Sequence, residues 1–241
     1  MADELTTEKM PAGADRPVVE HPLEGSLIGI NDQFARRFRR RVWLDYRGVI
    51  RRTLDEADFK PGERVLDITS DDASLALQML SRVAPGQVVC VCPIEATLQQ
   101  AYRQAQAAKL EEHLDWRIAA VEQLPFPDES FDAITCGLSF RLVNATAFIT
   151  EAHRLLVDGG RLILTESLIP PSRLNHWRLA WRSFYYRYIG RSLAEAAADF
   201  YSADELADRL HRVGFQPIII RGLQKPRTRH SWVFSLIKAM K

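Results

Sequence analysis

The chain has 241 residues, 46% of them hydrophobic, enough to bury a full core, and its formal net charge of +1 points to no polyanionic partner. Three cysteines make no disulfide framework in a chain of this size, so a reducing, cytoplasmic setting is expected, peripheral to a membrane at most. The start lacks the basic, apolar pattern of a signal peptide, and no run approaches the ~18 apolar residues of a membrane-spanning helix.

Residues 1–25 read as a loosely ordered acidic tail, because they cannot bury enough apolar surface to offset chain entropy, and residues 26–241 as one domain. Residues 31–58 supply N-terminal helices. Asn31 or Asp32 can cap the first, with Phe34, Phe38, Val42, Trp43 and Tyr46 on one face and Arg36, Arg37, Arg39, Arg40 and Arg41 between them. The second runs from Val49 to Asp58 and ends at the turn Lys60-Pro61-Gly62.

Strands and helices then alternate. Val65–Ile68 reads as the first strand and Ala73–Arg82 as its helix. Val88–Val91, after the Pro85-Gly86 turn, is the second strand, and Ala96–Ala108 the next helix. Trp116–Ala119 is a weaker third strand, and Ser130–Cys136 carries the fourth. Ala147–Leu156 reads as a helix stopped by Asp158-Gly159-Gly160, glycine supplying the positive φ of a C-cap, with Arg161–Glu166 as the fifth strand. Residues 172–199 form an insertion rich in Trp, Tyr and Arg. Ser202 with Glu205 makes a capping box for a helix ending at Val213-Gly214, and Phe215–Arg221 and Trp232–Ala239 are strands six and seven. Such alternation argues for an α/β fold with a mainly parallel sheet and helices on both faces.

Two motifs are specific. Leu124-Pro125-Phe126-Pro127-Asp128-Glu129-Ser130-Phe131-Asp132 is followed by Glu151-Ala152-His153-Arg154-Leu155-Leu156-Val157-Asp158-Gly159-Gly160-Arg161-Leu162, and Pro61-Gly62-Glu63-Arg64-Val65-Leu66-Asp67 adds a third match. Together they resemble the class I S-adenosylmethionine-dependent methyltransferases, above all the ubiquinone/menaquinone-type C-methyltransferases. The resemblance runs from Lys60 to about Ala239. It implies a Rossmann-like, seven-stranded, mostly parallel sheet whose last strand is antiparallel.

The resemblance also places a cofactor cleft at Asp67, Thr69, Ser70, Asp71, Cys92, Val121 and Arg141. Several of these positions depart from the family pattern. Ser70, Asp71 and Ala73 stand where glycines are expected, Cys92 where an acidic residue holds ribose hydroxyls, and Ala120 where one meets the adenine amino group. Glycine permits positive φ and close backbone approach, and a thiol cannot replace a carboxylate as acceptor. The motifs that match are structural, whereas the ligand-contacting positions have changed together.

The reading favoured on these grounds is a pseudo-methyltransferase. It has lost ordinary S-adenosylmethionine binding, needs no cofactor, and serves as a non-catalytic binding or accessory subunit. The alternative is an active S-adenosylmethionine-dependent enzyme acting on a quinone or other lipid-like acceptor through altered contacts. A protein partner or a lipophilic small molecule is expected, with membrane-surface contact through Arg36–Arg41 or the aromatic insertion, and nucleic acid is not. No catalytic residue is assigned. His153, His176, Tyr185, Tyr186 and His211 qualify as bases by residue type alone. Cys92 and Cys136 end strands that flank the first, which admits a metal or redox pair across the cleft, although buried, inert thiols are the simpler reading.

Overall fold

A computed structural model describes residues 45–69, 73–137, 140, 143–169, 201–223 and 233–241. The acidic tail, the Arg36–Arg41 helix and the insertion at 172–199 lie outside the described residues.

The first helix among the described residues, α1 (Tyr46–Ala57), is the second expected helix and begins at Tyr46 rather than Val49, because the Asp45 carboxylate accepts a hydrogen bond from the Gly48 amide at 3.1 Å and caps it. Its buried positions, Tyr46, Val49, Ile50, Thr53, Leu54 and Ala57, recur at helical spacing and form one face against the sheet. Then follow β1 (Arg64–Ile68), α2 (Ser74–Val83), β2 (Gln87–Cys92), α3 (Glu95–Ala107), a short 3-10 turn at Glu111–His113 and β3 (Leu114–Ile118). After β4 (Phe131–Gly137) come α4 (Ala145–Leu155), β5 (Leu156–Leu168), α5 (Ala203–Val213), β6 (Ile218–Gly222) and β7 (Val233–Met240).

The strands form one sheet in the order β3-β2-β1-β4-β5-β7-β6. Strands β1 to β5 pair in parallel, and β7 runs antiparallel to both β5 and β6. This is the seven-stranded arrangement expected. Strand β1 is central and buried on both faces, which explains its unbroken apolar run around Asp67. One core packs α1, α2 and α3 against Val65, Val88, Cys90, Cys92 and Ala133. The other packs α4 and α5 against Leu66, Ile68, Val91, Ile134 and Cys136.

One junction is tighter than the residue pattern suggests. Helix α4 ends at Leu155, and Leu156 is already extended, so β5 starts directly from the helix. The amides of Glu129 and Ser130 donate to the carbonyls of Arg154 and Leu155 and satisfy that helix end. Gly159, at φ +76, therefore is not the cap; it lies in the irregularity of the β4–β5 pairing between Leu156 and Arg161. The capping box of α5 is complete: the Glu205 amide donates to Ser202 Oγ at 3.2 Å and the Ser202 amide to Glu205 Oε2 at 2.8 Å.

Candidate functional site

In an open α/β sheet, ligands bind beyond the carboxyl ends of the strands where the strand order reverses. Here that point is β1, which has β2 on one side and β4 on the other. The chain turns into α2 directly after β1 and into α3 directly after β2, so the amide-bearing N-termini of two helices face the same edge.

Asp67 sits at this point with its side chain buried, 3% exposed. Thr69 Oγ1 donates to one carboxylate oxygen at 2.9 Å, and Thr135 Oγ1, on the adjacent β4, to the other at 2.5 Å. Burial pushes the carboxyl up to about 6, and the bonds from Thr135 and Thr69 pull the other way. Thr69 also continues the ladder, its amide donating to the Val91 carbonyl at 2.8 Å. Thr135 was not singled out from the sequence. Only the β1–β4 register, which sets it opposite Asp67, reveals it.

Ala73, just before α2, takes the left-handed conformation at φ 55 and ψ 16. This is the backbone geometry for which a glycine was expected, adopted with a methyl side chain that is itself buried. The objection that a side chain forbids positive φ therefore fails at residue 73. Ser70 and Asp71 lie outside the described residues, as does Arg141.

Cys92 ends β2 and is 3% exposed. Burial raises its thiol, opposed by hydrogen bonds from the Ile94 amide and the Thr97 hydroxyl. Next to it Ile94, the residue before α3, provides no side-chain cap and is 60% exposed. Ile94 too was not singled out from the sequence. Beyond β3, Ala120 is exposed and Val121 is buried in the second core, so Val121 offers the edge its backbone rather than its side chain.

The cysteine pair does not form. Cys90 shares a register position with Asp67, whereas Cys136 pairs with Ile68, and successive residues of a strand face opposite ways. Cys90 and Cys92 thus belong to the α1–α3 core and Cys136 to the α4–α5 core. No group of three or more His, Cys, Asp or Glu side chains that could hold a metal occurs among the described residues.

The described histidines are equally remote from the site. His153, in the last turn of α4, packs edge-on against Phe215 at 5.1 Å, and burial with the Lys241 charge lowers its pKa. His211, in the last turn of α5, meets the Gln216 side chain at 2.8 Å. Both helices run into strands there, at the sheet's opposite edge. His176, Tyr185 and Tyr186 lie outside the described residues.

S-adenosylmethionine, the cofactor implied by the resemblance, has an amino-acid end with a cationic amine, a ribose and a flat adenine. The described residues fit two of these parts. Asp67 and the left-handed Ala73 turn suit the charged end, and exposed Ile94 offers apolar surface to a ring. The ribose receives no carboxylate from β2.

The methyltransferase domain family profile matches residues 66–164, from β1 through most of β5. A ubiquinone/menaquinone biosynthesis C-methyltransferase of Cereibacter sphaeroides is 29% identical over 183 residues, covering 68% of this chain and 70% of that protein. A protein of the same description from Paracoccus denitrificans is 32% identical over 170 residues, covering 67% of each chain. Among solved structures, geranyl diphosphate C-methyltransferase from Streptomyces coelicolor A3(2), in complex with Mg2+, geranyl diphosphate and S-adenosyl-L-homocysteine, superimposes with a TM-score of 0.65. It is 15% identical and covers 95% of this chain and 89% of its own, a likeness of fold.

These matches overturn the expectation of a non-catalytic pseudo-methyltransferase. Relatives described as C-methyltransferases align with most of the chain. Ala73 removes one of the steric grounds on which loss of binding rested. The expected absence of a cofactor has no support. No helix among the described residues is long and apolar enough to cross a membrane.

Proposed function

The chain belongs to the class I S-adenosylmethionine-dependent methyltransferase superfamily, and from that premise we propose that it is an active enzyme that methylates a carbon of a quinone or other lipid-like acceptor. The observation that carries this reading is the match to ubiquinone/menaquinone C-methyltransferases through the strands that frame the cleft. The bound cofactor supplies an electrophilic methyl group on a sulfonium.

The chain's own part is to bind and orient. Asp67 would hold the cationic amine. A carboxyl that burial keeps near 6 is drawn into its ionised form by an adjacent cation, so ligand binding releases a proton below that pH. The helix N-termini of α2 and α3 add amide donors and favour the carboxylate of the amino-acid end. Val121 gives backbone groups to the adenine, and Ile94 an apolar contact.

The test has two readouts. Calorimetry with S-adenosylhomocysteine is expected to give a dissociation constant below ~1 mM, and methyl-labelled S-adenosylmethionine to transfer label to a reduced, demethylated prenylquinone extracted into organic solvent. Binding with no label in any of a set of quinols would remove the acceptor class; absence of binding would remove the enzyme reading itself.

A further inference from the structure

At the adenosine side of the cleft, β2 ends in a thiol rather than a carboxylate. In dinucleotide-binding α/β sheets an Asp or Glu about 20 residues beyond the first βα turn hydrogen-bonds the ribose, and the family resemblance places such a residue at the end of β2. Here β2 ends at Cys92, next to β1, and its side chain is 3% exposed. A thiol is a weak acceptor, and one buried to this degree has little to offer a diol.

The nearest acidic side chain on this turn, Glu95, accepts a bond from Gln99 Nε2 at 2.8 Å. Across the cleft, Ala120 contributes no side-chain acceptor. What the turn presents outward is Ile94, 60% exposed, the more exposed of the two large apolar side chains that are exposed among the described residues.

We propose that Cys92 makes the cofactor site indifferent to the ribose hydroxyls. The adenosine half is held by apolar contact with Ile94 and by strand-end backbone, so S-adenosyl ligands lacking the 2′- or 3′-hydroxyl bind about as well as the ordinary ones. This rests on the methyltransferase reading. It names what that site does and does not discriminate.

The experiment is calorimetry of the native chain and of Cys92→Asp with S-adenosylhomocysteine and with its 2′-deoxy and 3′-deoxy analogues. On the native chain the three dissociation constants are expected to agree within about threefold. Cys92→Asp is expected to tighten S-adenosylhomocysteine by about tenfold, the worth of a hydrogen bond to a charged acceptor, and to leave the deoxy analogues unimproved.

A native chain that binds S-adenosylhomocysteine at least tenfold better than both analogues would overturn the proposal and leave the methyltransferase reading standing. A gain in Cys92→Asp shared equally by all three ligands would also overturn it, since the diol would not be what position 92 governs. If S-adenosylhomocysteine binds neither protein, both readings fall together. The comparison of ligands on the native chain needs no variant, so a C92D chain that fails to fold still leaves the proposal decided. Ile94→Ser supplies the complementary arm: it is expected to weaken all three ligands by a similar factor, and unequal loss would contradict the apolar hold.

Discussion

The two edges of the sheet are built on opposite plans. At the edge where the parallel strands begin, two arginines each bind several groups. Arg161 donates to both oxygens of Glu63 at 2.9 and 2.7 Å and to the carbonyls of Ala57 and Asp58, with its guanidinium over the Phe59 ring. Arg154 donates to Glu151, to Asp128 and to the carbonyls of Leu124 and Phe126, while Glu151 accepts from the Leu124 amide. At the edge where those strands end, the described cleft side chains are Asp67 with two threonines, a thiol and an exposed isoleucine. Saturated ion pairs fix the geometry of one edge, whereas at the other the Asp67 carboxyl is bonded to two neutral hydroxyls. The motifs that carry the family resemblance lie largely at the first edge.

The largest effect should come from breaking the first edge. Arg161 and Glu63 are both nearly buried, and Arg161→Met would strand the Glu63 carboxylate and two backbone carbonyls. Burial alone would raise that carboxyl, but its bonds with Arg161 and the Lys60 amide hold it below its ordinary value. Removing one partner of such a pair costs about 3–5 kcal/mol. Urea denaturation measures the loss, and the fraction that remains folded should bind S-adenosylhomocysteine with unchanged affinity. A ligand affinity that fell in step would show that the edges are coupled.

Asp67 reverses the relation. In the unfolded chain its carboxyl titrates near 3.8 and in the fold near 6, so ionisation opposes folding between those values. The native chain loses this increment of stability as pH rises through the window, and Asp67→Asn does not. Above pH 6 the variant should be more stable by on the order of 2–3 kcal/mol, with the difference gone below about pH 4. Its ligand affinity should fall about tenfold or more, since the cation loses its partner. Denaturation at pH 4 and pH 7.5 with calorimetry at pH 7.5 checks both signs. A stable variant with undiminished affinity would remove Asp67 from the binding site.

How far each edge can be read from the chain follows from the same contrast. The strands and helices were legible because burial imposes periodicity: β1 is apolar on both faces and α1 repeats its buried residues along one stripe. The boundaries moved where a local bond outweighed the pattern, as at Asp45 before α1 and at the α4–β5 junction. The cleft was harder to read. That Thr135 stands opposite Asp67, and that Cys92 and Cys136 face opposite cores, are consequences of register between strands far apart in sequence. That Ala73 adopts a glycine conformation is signalled only by the family pattern, which expects a glycine there, and not by alanine itself.

A smaller effect tests whether the first edge is as unyielding as it looks. Gly214 ends α5 at φ +114, and a Cβ there would lie 3.0 Å from His153 Nε2. Gly214→Ala should cost about 1–2 kcal/mol from the backbone conformation alone. Gly214→Ala combined with His153→Ala separates the two causes: relief in the double variant would assign the cost to the contact, and none would assign it to the backbone.

The smallest effect lies at the turn before α2. Left-handed φ costs an ordinary residue about 1–2 kcal/mol, whereas glycine gives back about 0.5–1 kcal/mol through its freer unfolded chain. Ala73→Gly should therefore stabilise the fold by a net of about 0.5–1 kcal/mol, visible as a rise in the urea midpoint at unchanged slope. Because Ala73 is buried and its methyl fills space beside α2, a small packing loss opposes the gain, and Ala73→Ser, which keeps the β-carbon, should show no gain. Ligand affinity decides what the alanine is for. If Ala73→Gly tightens S-adenosylhomocysteine along with the fold, the methyl was an obstacle in the cleft. If the fold gains and affinity stays level, the left-handed turn already presents its amides correctly, and the missing glycines cost stability rather than function.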